Sequence, residues 1–337
     1  MTKLPPKLES PVPVGVIGAG YYLPERILTN KDLEQMVDTS DEWIVERTGI
    51  HERRIAPPEM STSDMGVLAA KAALRNAGLT GNDIDMIICA TVTPDMMFPS
   101  TACFIQRGIE ARESFAFDIT AACTGFIYAL ATAYAYLASG YVHNVLVVAA
   151  EKLSAFTDYE DRNTCVLFGD GAGAVVLSKI NKPGHGIIDF ILESDGRLAN
   201  LLQVPAGGSR TPASTSSIGE RMHYISMEGR EVFKFAVTAM KRTTVRIAER
   251  NGIKAEDIRW LIPHQANKRI IDAAAEALGL DASRIHFNIH KYGNMSAAST
   301  AVGLAEVVLN NGLKDGDIVL MVAFGAGMTW GSVLIKW

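Results

Sequence analysis

Two rhythms of apolar residues alternate along the chain. Short apolar runs predict strands over residues 14–17, 86–91, 115–119, 144–150, 172–177, 186–192, 260–263, 318–324 and 332–335. Between them, apolar positions return every three or four residues and predict helices. One spans 63–77, with Ser61 and Asp64 spaced as a capping box and Gly78 as its stop. Others span 230–250, ending at Asn251-Gly252, 268–278, stopping at Gly279, and 296–309. Strands separated by crossover helices define an α/β protein with mainly parallel mixed sheets.

The pattern also repeats. Segments 83–88, 115–119 and 144–148 recur in the same order at 257–262, 285–289 and 317–321, displaced by 174, 170 and 173 residues. Three echoes at one offset point to a duplicated α/β unit. The turn-rich stretch 181–186 (Asn-Lys-Pro-Gly-His-Gly) fits the junction. This divides the chain into a tail over 1–13, a first half over 14–183 and a second over 184–337, the two halves packed as one body around buried helices.

Residues 121–139 carry no charge over nearly the length of a membrane span. Seven alanines with Thr, Ser, Gly and three Tyr make the stretch only mildly apolar, so it reads as the central helix of a soluble protein. With 337 residues, 48% hydrophobic and 20% charged, the chain can bury a large core, which excludes disorder and disulfide scaffolds. Its net charge of −5 argues against a nucleic-acid partner, although a local basic patch for an anionic ligand remains open. The four cysteines form no CxxC pair, and the proline-rich start lacks a signal-peptide core, so a reducing cytoplasmic setting is expected. Nothing in the sequence calls for a metal or cofactor.

Two glycine stretches resemble nucleotide motifs without completing them. Gly15-Val16-Ile17-Gly18-Ala19-Gly20 has Leu23 where a dinucleotide fingerprint needs its third Gly, and a tight turn after the first strand explains it equally well. Phe168–Gly173 lacks the Lys-Ser/Thr ending of a P-loop, and its glycines are expected to allow close backbone approach.

Three residues stand where open α/β sheets place their ligands, just past a strand or loop and before a helix. Cys123 sits between the 115–119 strand and the uncharged helix, where the helix dipole favours a thiolate. His264 follows the 260–263 strand, and Asn294 precedes the 296–309 helix. Singly, each has an ordinary structural explanation: a small buried thiol, a satisfied histidine, a helix cap. As a Cys/His/Asn set they fit either papain-like hydrolysis or decarboxylative carbon–carbon bond formation.

Six motifs in order then carry a family resemblance. They are the segments 39–50, 121–126, 168–173, 264–270 (His-Gln-Ala-Asn-Lys-Arg-Ile), 293–299 (Gly-Asn-Met-Ser-Ala-Ala-Ser) and 324–332. From about Val14 to Trp337 the chain resembles β-ketoacyl-acyl-carrier-protein synthase III, of the thiolase superfamily. That resemblance implies a thiolase-like fold and a homodimer, and an enzyme that initiates type II fatty-acid synthesis from acyl-CoA and malonyl-acyl-carrier protein. It implies Cys123 as the acylated nucleophile, His264 and Asn294 as donors to the enolate, and the backbone N–H groups of Cys123 and Ala326 as the oxyanion hole. By the same resemblance Trp43, Arg47, Arg162 and Asn267 bind CoA, and Phe98, lent by the partner subunit, limits the acyl pocket. Lys234, Gln265, Ala266, Asn267, Lys268 and Arg269 would meet the carrier protein. Departures include Ala326 for a common glycine, Thr124 after the cysteine, Arg230 where some members have Asn, and Glu276 and Ala277 at docking positions often basic. The primer chain length is not legible. A starter-unit ketosynthase or acyltransferase of secondary metabolism would share the triad; a cysteine hydrolase would use water as acceptor, and a non-catalytic carrier-binding module would leave Cys123 unacylated.

Overall fold

The computed structural model describes residues 6–9, 11–310 and 312–337; the rest of the expected tail lies outside the described residues. Nine strands build two sheets: β1 (Val14–Tyr22), β2 (Met86–Ala90), β3 (Phe115–Ile119), β4 (Asn144–Lys152), β5 (Asp170–Lys179), β6 (Gly186–Ser194), β7 (Ile258–Pro263), β8 (Ile318–Gly325) and β9 (Thr329–Lys336). The first sheet runs β1-β5-β4-β2-β3 and the second β7-β8-β9-β6. β2 lies parallel to β3 and β4, and β7 parallel to β8; the other neighbours are antiparallel. Both sheets are therefore mixed as expected, but parallel pairing does not dominate. The excess of antiparallel pairs comes from β5, β6 and β9, which follow or precede another strand without a crossover helix.

Seven longer helices are placed against these sheets: α1 (Asp41–Thr48), α2 (Thr62–Ala77), α3 (Thr101–Gly108), α4 (Gly125–Ser139), α5 (Gly229–Asn251), α6 (Lys268–Glu276) and α7 (Ala297–Asn310). α4 and α7 lie between the two sheets, α2 and α3 cover the outer face of the first, and α5 and α6 the outer face of the second. Strand alternation feeds this layering. In β4, Val145 and Val147 face the central layer while Leu146 and Val148 face α2. Each side chain of this size, once buried, contributes roughly 1.5–3 kcal/mol. The uncharged segment is α4, whose Phe126, Ile127, Leu130 and Leu137 are wholly buried between the sheets, as a central helix should be.

Local signals place the ends. Ser61 and Asp64 close the capping box of α2, and Gly78 ends it in the left-handed conformation. The first glycine stretch is not a turn. Gly18 and Gly20 lie inside β1 because a Cβ at either would meet backbone of α2 near Ala73 at 2.5 and 2.3 Å. Small residues there let helix and strand approach, and the same holds for Gly173 against Ala301 of α7.

Candidate active site

A cavity of about 550 Å³ opens where strands of both sheets end, and Cys123, His264 and Asn294 all line it. Cys123 follows a strand of the first sheet, His264 follows a strand of the second, and Asn294 lies in the loop before α7. Their meeting is a property of the fold.

Cys123 sits in the single tight turn Ala122–Thr124 that leads straight into α4. Ala122 holds a left-handed φ of 47°, which bends the chain sharply out of β3. The turn is clasped by the second sheet: Thr124 Oγ1 donates to the Thr329 carbonyl at 3.2 Å. Gly325, at the end of β8, comes so close that a Cβ there would lie 2.6 Å from the Cys123 nitrogen. Next to it, Ala326 lines the same cavity as Cys123. The helix start was expected to favour a thiolate. Burial outweighs it, pushing the thiol up to about 12.

His264 directly follows β7, its N–H bonded to the Val322 carbonyl at 2.8 Å and its ring edge-on to Phe324. Neither ring nitrogen has a hydrogen-bond partner, and burial drives the ring down to about 3. The imidazole is thus neutral, with one N–H to donate. Asn294 is fixed through its main chain, donating to the Leu167 carbonyl (2.9 Å) and accepting from Gly169 (3.0 Å). Its Oδ1 accepts the Ser296 N–H at 2.8 Å, which orients the amide and leaves Nδ2 as the donor available to the cavity. The glycines of the second stretch serve this junction: a Cβ on Gly169 would strike the Tyr292 carbonyl at 2.3 Å.

Trp43, Arg47 and Arg162 gather in one cluster, with the Arg162 and Arg47 guanidiniums 4.7 and 5.3 Å from the indole centroid. Arg162 also faces Asp38 at 3.6 Å. Asn267 ties this cluster to the cavity, donating from Nδ2 to the Arg47 carbonyl (2.7 Å) while Oδ1 caps α6 at Arg269 (2.9 Å). Both ends of its amide are therefore engaged within the chain.

Among the expected docking residues, Lys234 pairs with Glu231 at 2.8 Å and Lys268 with Asp272 at 2.6 Å. Arg269 lies over the ring of Phe233, itself a cavity residue. Gln265 does not fit a docking surface. It is wholly buried, donating to the Pro263 and His286 carbonyls and accepting from the N–H groups of Asn288 and Ile289. Its amide braces the loop that leads to Asn294, because a buried primary amide must satisfy all its polar groups. Ala266 lines the cavity. Phe98 is 84% exposed and does not line the cavity of its own chain.

Two nearby residues escaped the sequence reading. Ser296 has a left-handed φ of 48° and a buried hydroxyl without a closed hydrogen bond. Glu151 lies wholly buried in β4. The available signal for Glu151 was an acidic residue, beside Lys152, closing a long apolar strand run.

A fold of two sheets around α4 and α7, with a buried cysteine, a neutral histidine and an asparagine lining one cavity, defines a condensing enzyme of the thiolase-like class. Profiles of 3-oxoacyl-[acyl-carrier-protein (ACP)] synthase III match residues 117–196, and of its C-terminal part residues 248–337. The β-ketoacyl-[acyl-carrier-protein] synthase III of Caldanaerobacter subterraneus subsp. tengcongensis is 54% identical over 326 residues, 97% of this chain and 98% of that protein. The crystal structure of 3-oxoacyl-[acyl-carrier-protein] synthase III from Aquifex aeolicus superposes with a TM-score of 0.88 at 48% identity, covering 96% of this chain and all of that one. A priming β-ketosynthase of the R1128 polyketide pathway has the same TM-score at 33% identity. The chain belongs to the β-ketoacyl-[acyl-carrier-protein] synthase III family, and it is an acyltransferase-type condensing enzyme.

Proposed function

We propose that the cavity performs a decarboxylative Claisen condensation in two half-reactions. In the first, an acyl-CoA primer transfers its acyl group to Cys123 and CoA leaves. In the second, malonyl-acyl-carrier protein loses CO2 and its carbanion attacks the Cys123 thioester, giving β-ketoacyl-carrier protein. The backbone N–H groups of Cys123 and Ala326 hold the acyl oxyanion, while the His264 N–H and the Asn294 Nδ2 hold the enolate oxygen.

The observation that carries this reading is the His264 ring, buried with both nitrogens free of hydrogen-bond partners in the cavity that Cys123 and Asn294 also line. Burial pushes the Cys123 thiol up and the His264 ring down. A thiolate–imidazolium pair of the papain kind needs the opposite of both shifts. A neutral imidazole without a partner suits donation to a developing oxyanion, because its N–H brings no charge to desolvate.

Trp43, Arg47 and Arg162 would take the nucleotide end of CoA. At 4.7 Å the Arg162 guanidinium occupies the indole face, so an adenine stacking on Trp43 must displace it. Lys268 and Arg269 of α6, with Lys234 of α5, would meet an acidic carrier protein. The enzyme acts as a cytoplasmic homodimer without a cofactor. Supporting the dimer, β3 is an edge strand, and beside it Met97, Phe98 and Tyr141 are strongly exposed. Phe98 would then limit the acyl pocket of the partner and restrict primers to short or small branched chains.

The test separates the half-reactions. Cys123→Ala should abolish the mass shift with acyl-CoA yet still release CO2 from malonyl-carrier protein. His264→Ala and Asn294→Ala should load normally but decarboxylate about 10²- to 10³-fold more slowly. If His264→Ala loses loading as completely as Cys123→Ala, the histidine is the base for the thiol and the assignment is wrong.

A further inference from the structure

The two donors proposed for the enolate stand on separate loops, His264 just after β7 and Asn294 just before α7. For both to reach one oxygen, the loops must keep a fixed separation. Gln265 supplies one brace, through main-chain groups of residues 286–289. A second brace comes from Glu306, the sole charged residue of α7.

The Glu306 side chain is only 13% exposed, and three side chains of the Asn294 loop donate to it. Oε2 receives Asn288 Nδ2 at 2.8 Å and His286 Nε2 at 2.9 Å, while Oε1 receives the Tyr292 hydroxyl at 2.8 Å. A carboxylate can only accept, so His286 carries its hydrogen on Nε2. Burial alone would raise the Glu306 carboxyl, but the His286, Asn288 and Tyr292 donors hold it below its usual range. The Tyr292 phenol, buried against this anion, is pushed up and stays a donor. Room for the contact is made one turn earlier in α7. A Cβ on Gly303 would press on His286 Cδ2 at 3.1 Å and on Ile262 Cγ2 at 2.9 Å.

The grip reaches Asn294 through a short, internally bonded link. Residues Ile289–Tyr292 form a single helical turn. In it the Asn288 carbonyl accepts the N–H groups of Lys291 (3.0 Å) and Tyr292 (3.2 Å), and the Ile289 carbonyl accepts that of Gly293 (2.9 Å). Glu306 holds this turn at both ends, at Asn288 and at Tyr292. Asn294 is the second residue beyond it, reached through Gly293 with its left-handed φ of 66°.

We propose that Glu306 is a positioning residue for the decarboxylation step: by gripping His286, Asn288 and Tyr292 it sets the place of the Asn294 amide relative to His264. Glu306 does not line the cavity, so it acts on the reaction only through the loop it holds. Loading of Cys123 needs neither enolate donor, and the two half-reactions should therefore respond differently.

The inference rests on Asn294 being an enolate donor, so Asn294→Ala is measured in parallel. CO2 release from malonyl-acyl-carrier protein would be followed for the wild type, Glu306→Ala, Glu306→Gln, Asn294→Ala and the double variant of Glu306→Ala with Asn294→Ala. Acyl-CoA loading of Cys123 counts the folded sites in each. Glu306→Ala should lose about 10- to 10²-fold in kcat for CO2 release, with KM and loading unchanged. Glu306→Gln keeps a carbonyl for Asn288 and His286 and should recover most of that loss. On the Asn294→Ala background, Glu306→Ala should cost less than about twofold more, because nothing is left for it to position. Tyr292→Phe removes a single donor and carries the same comparison should Glu306→Ala fail to fold. Equal losses in loading and CO2 release would overturn the proposal, and so would losses that multiply in the double variant. Wild-type CO2 release by Asn294→Ala would instead sink the enolate-donor reading, and the role of Glu306 with it.

Discussion

The Thr329 hydroxyl donates to the Ala121 carbonyl at 3.0 Å, joining positions 208 residues apart. Thr124 Oγ1 returns a bond to the Thr329 carbonyl, so the start of β9 and the nucleophile turn hold one another. The strained Ala122 in that turn persists because contacts from the other half of the molecule over-determine it.

The same clasp predicts that Gly325→Ala is severe for so small a change. Its added methyl would press on the Cys123 and Thr124 nitrogens, at 2.6 and 3.1 Å. We expect a loss of about 1–3 kcal/mol in stability by chemical denaturation. Loading of Cys123 should fall further than stability accounts for. A variant that loads at the wild-type rate would show that the turn tolerates displacement.

Arg162→Ala should weaken acyl-CoA loading by about tenfold in apparent affinity, since the guanidinium pairs with Trp43 and faces the expected nucleotide end. Loading from a simple acyl-pantetheine thioester should be unchanged. Equal losses on both substrates, measured by intact mass, would place Arg162 in the fold and not in nucleotide binding.

Stability should respond to pH through two buried groups of opposite sign. His264 titrates near 3 when folded and 6.5 when unfolded, so its unfolded form binds the extra proton and stability is lost as pH falls through that range. Glu151 titrates near 7 when folded and 4.5 when unfolded, so its ionised form weakens the fold above pH 7, by about 3 kcal/mol. Glu151→Gln should therefore gain more stability at pH 8 than at pH 4.5. Denaturation midpoints showing the same gain at both pH values would contradict this.

Arg269→Glu should slow condensation with malonyl-carrier protein at least tenfold at low salt, and less at high salt, while acyl-CoA loading is spared. Lys268→Glu should do less, because its ammonium is already paired with Asp272. A salt-independent effect would move the docking surface elsewhere.

Much of this was legible in the chain. Apolar runs located all nine strands of the two sheets, because most of them are buried on both faces and leave few polar interruptions. The positions of Cys123, His264 and Asn294, each beyond a strand or loop and before a helix, could be read as well. Gly18 and Gly20 could not, since a turn and a close helix approach select glycine equally. The thiol's protonation was misjudged because a helix start is visible in sequence whereas the depth of burial is not. Gln265 was placed on the docking surface by the family resemblance of its segment; only the fold shows the backbone groups it satisfies.

The helix α7 sets a schedule for synthesis. The first sheet has all its strands once residue 179 leaves the ribosome, but the layer over its inner face is finished only by residues 297–310. At roughly 5–20 residues per second, that face waits on the order of 10 s for its cover. Meanwhile Val145, Val147, Val175 and Leu177 lack the cover that α7 adds to their cluster. A chain cut short before α7 is therefore expected to leave this apolar face partly uncovered.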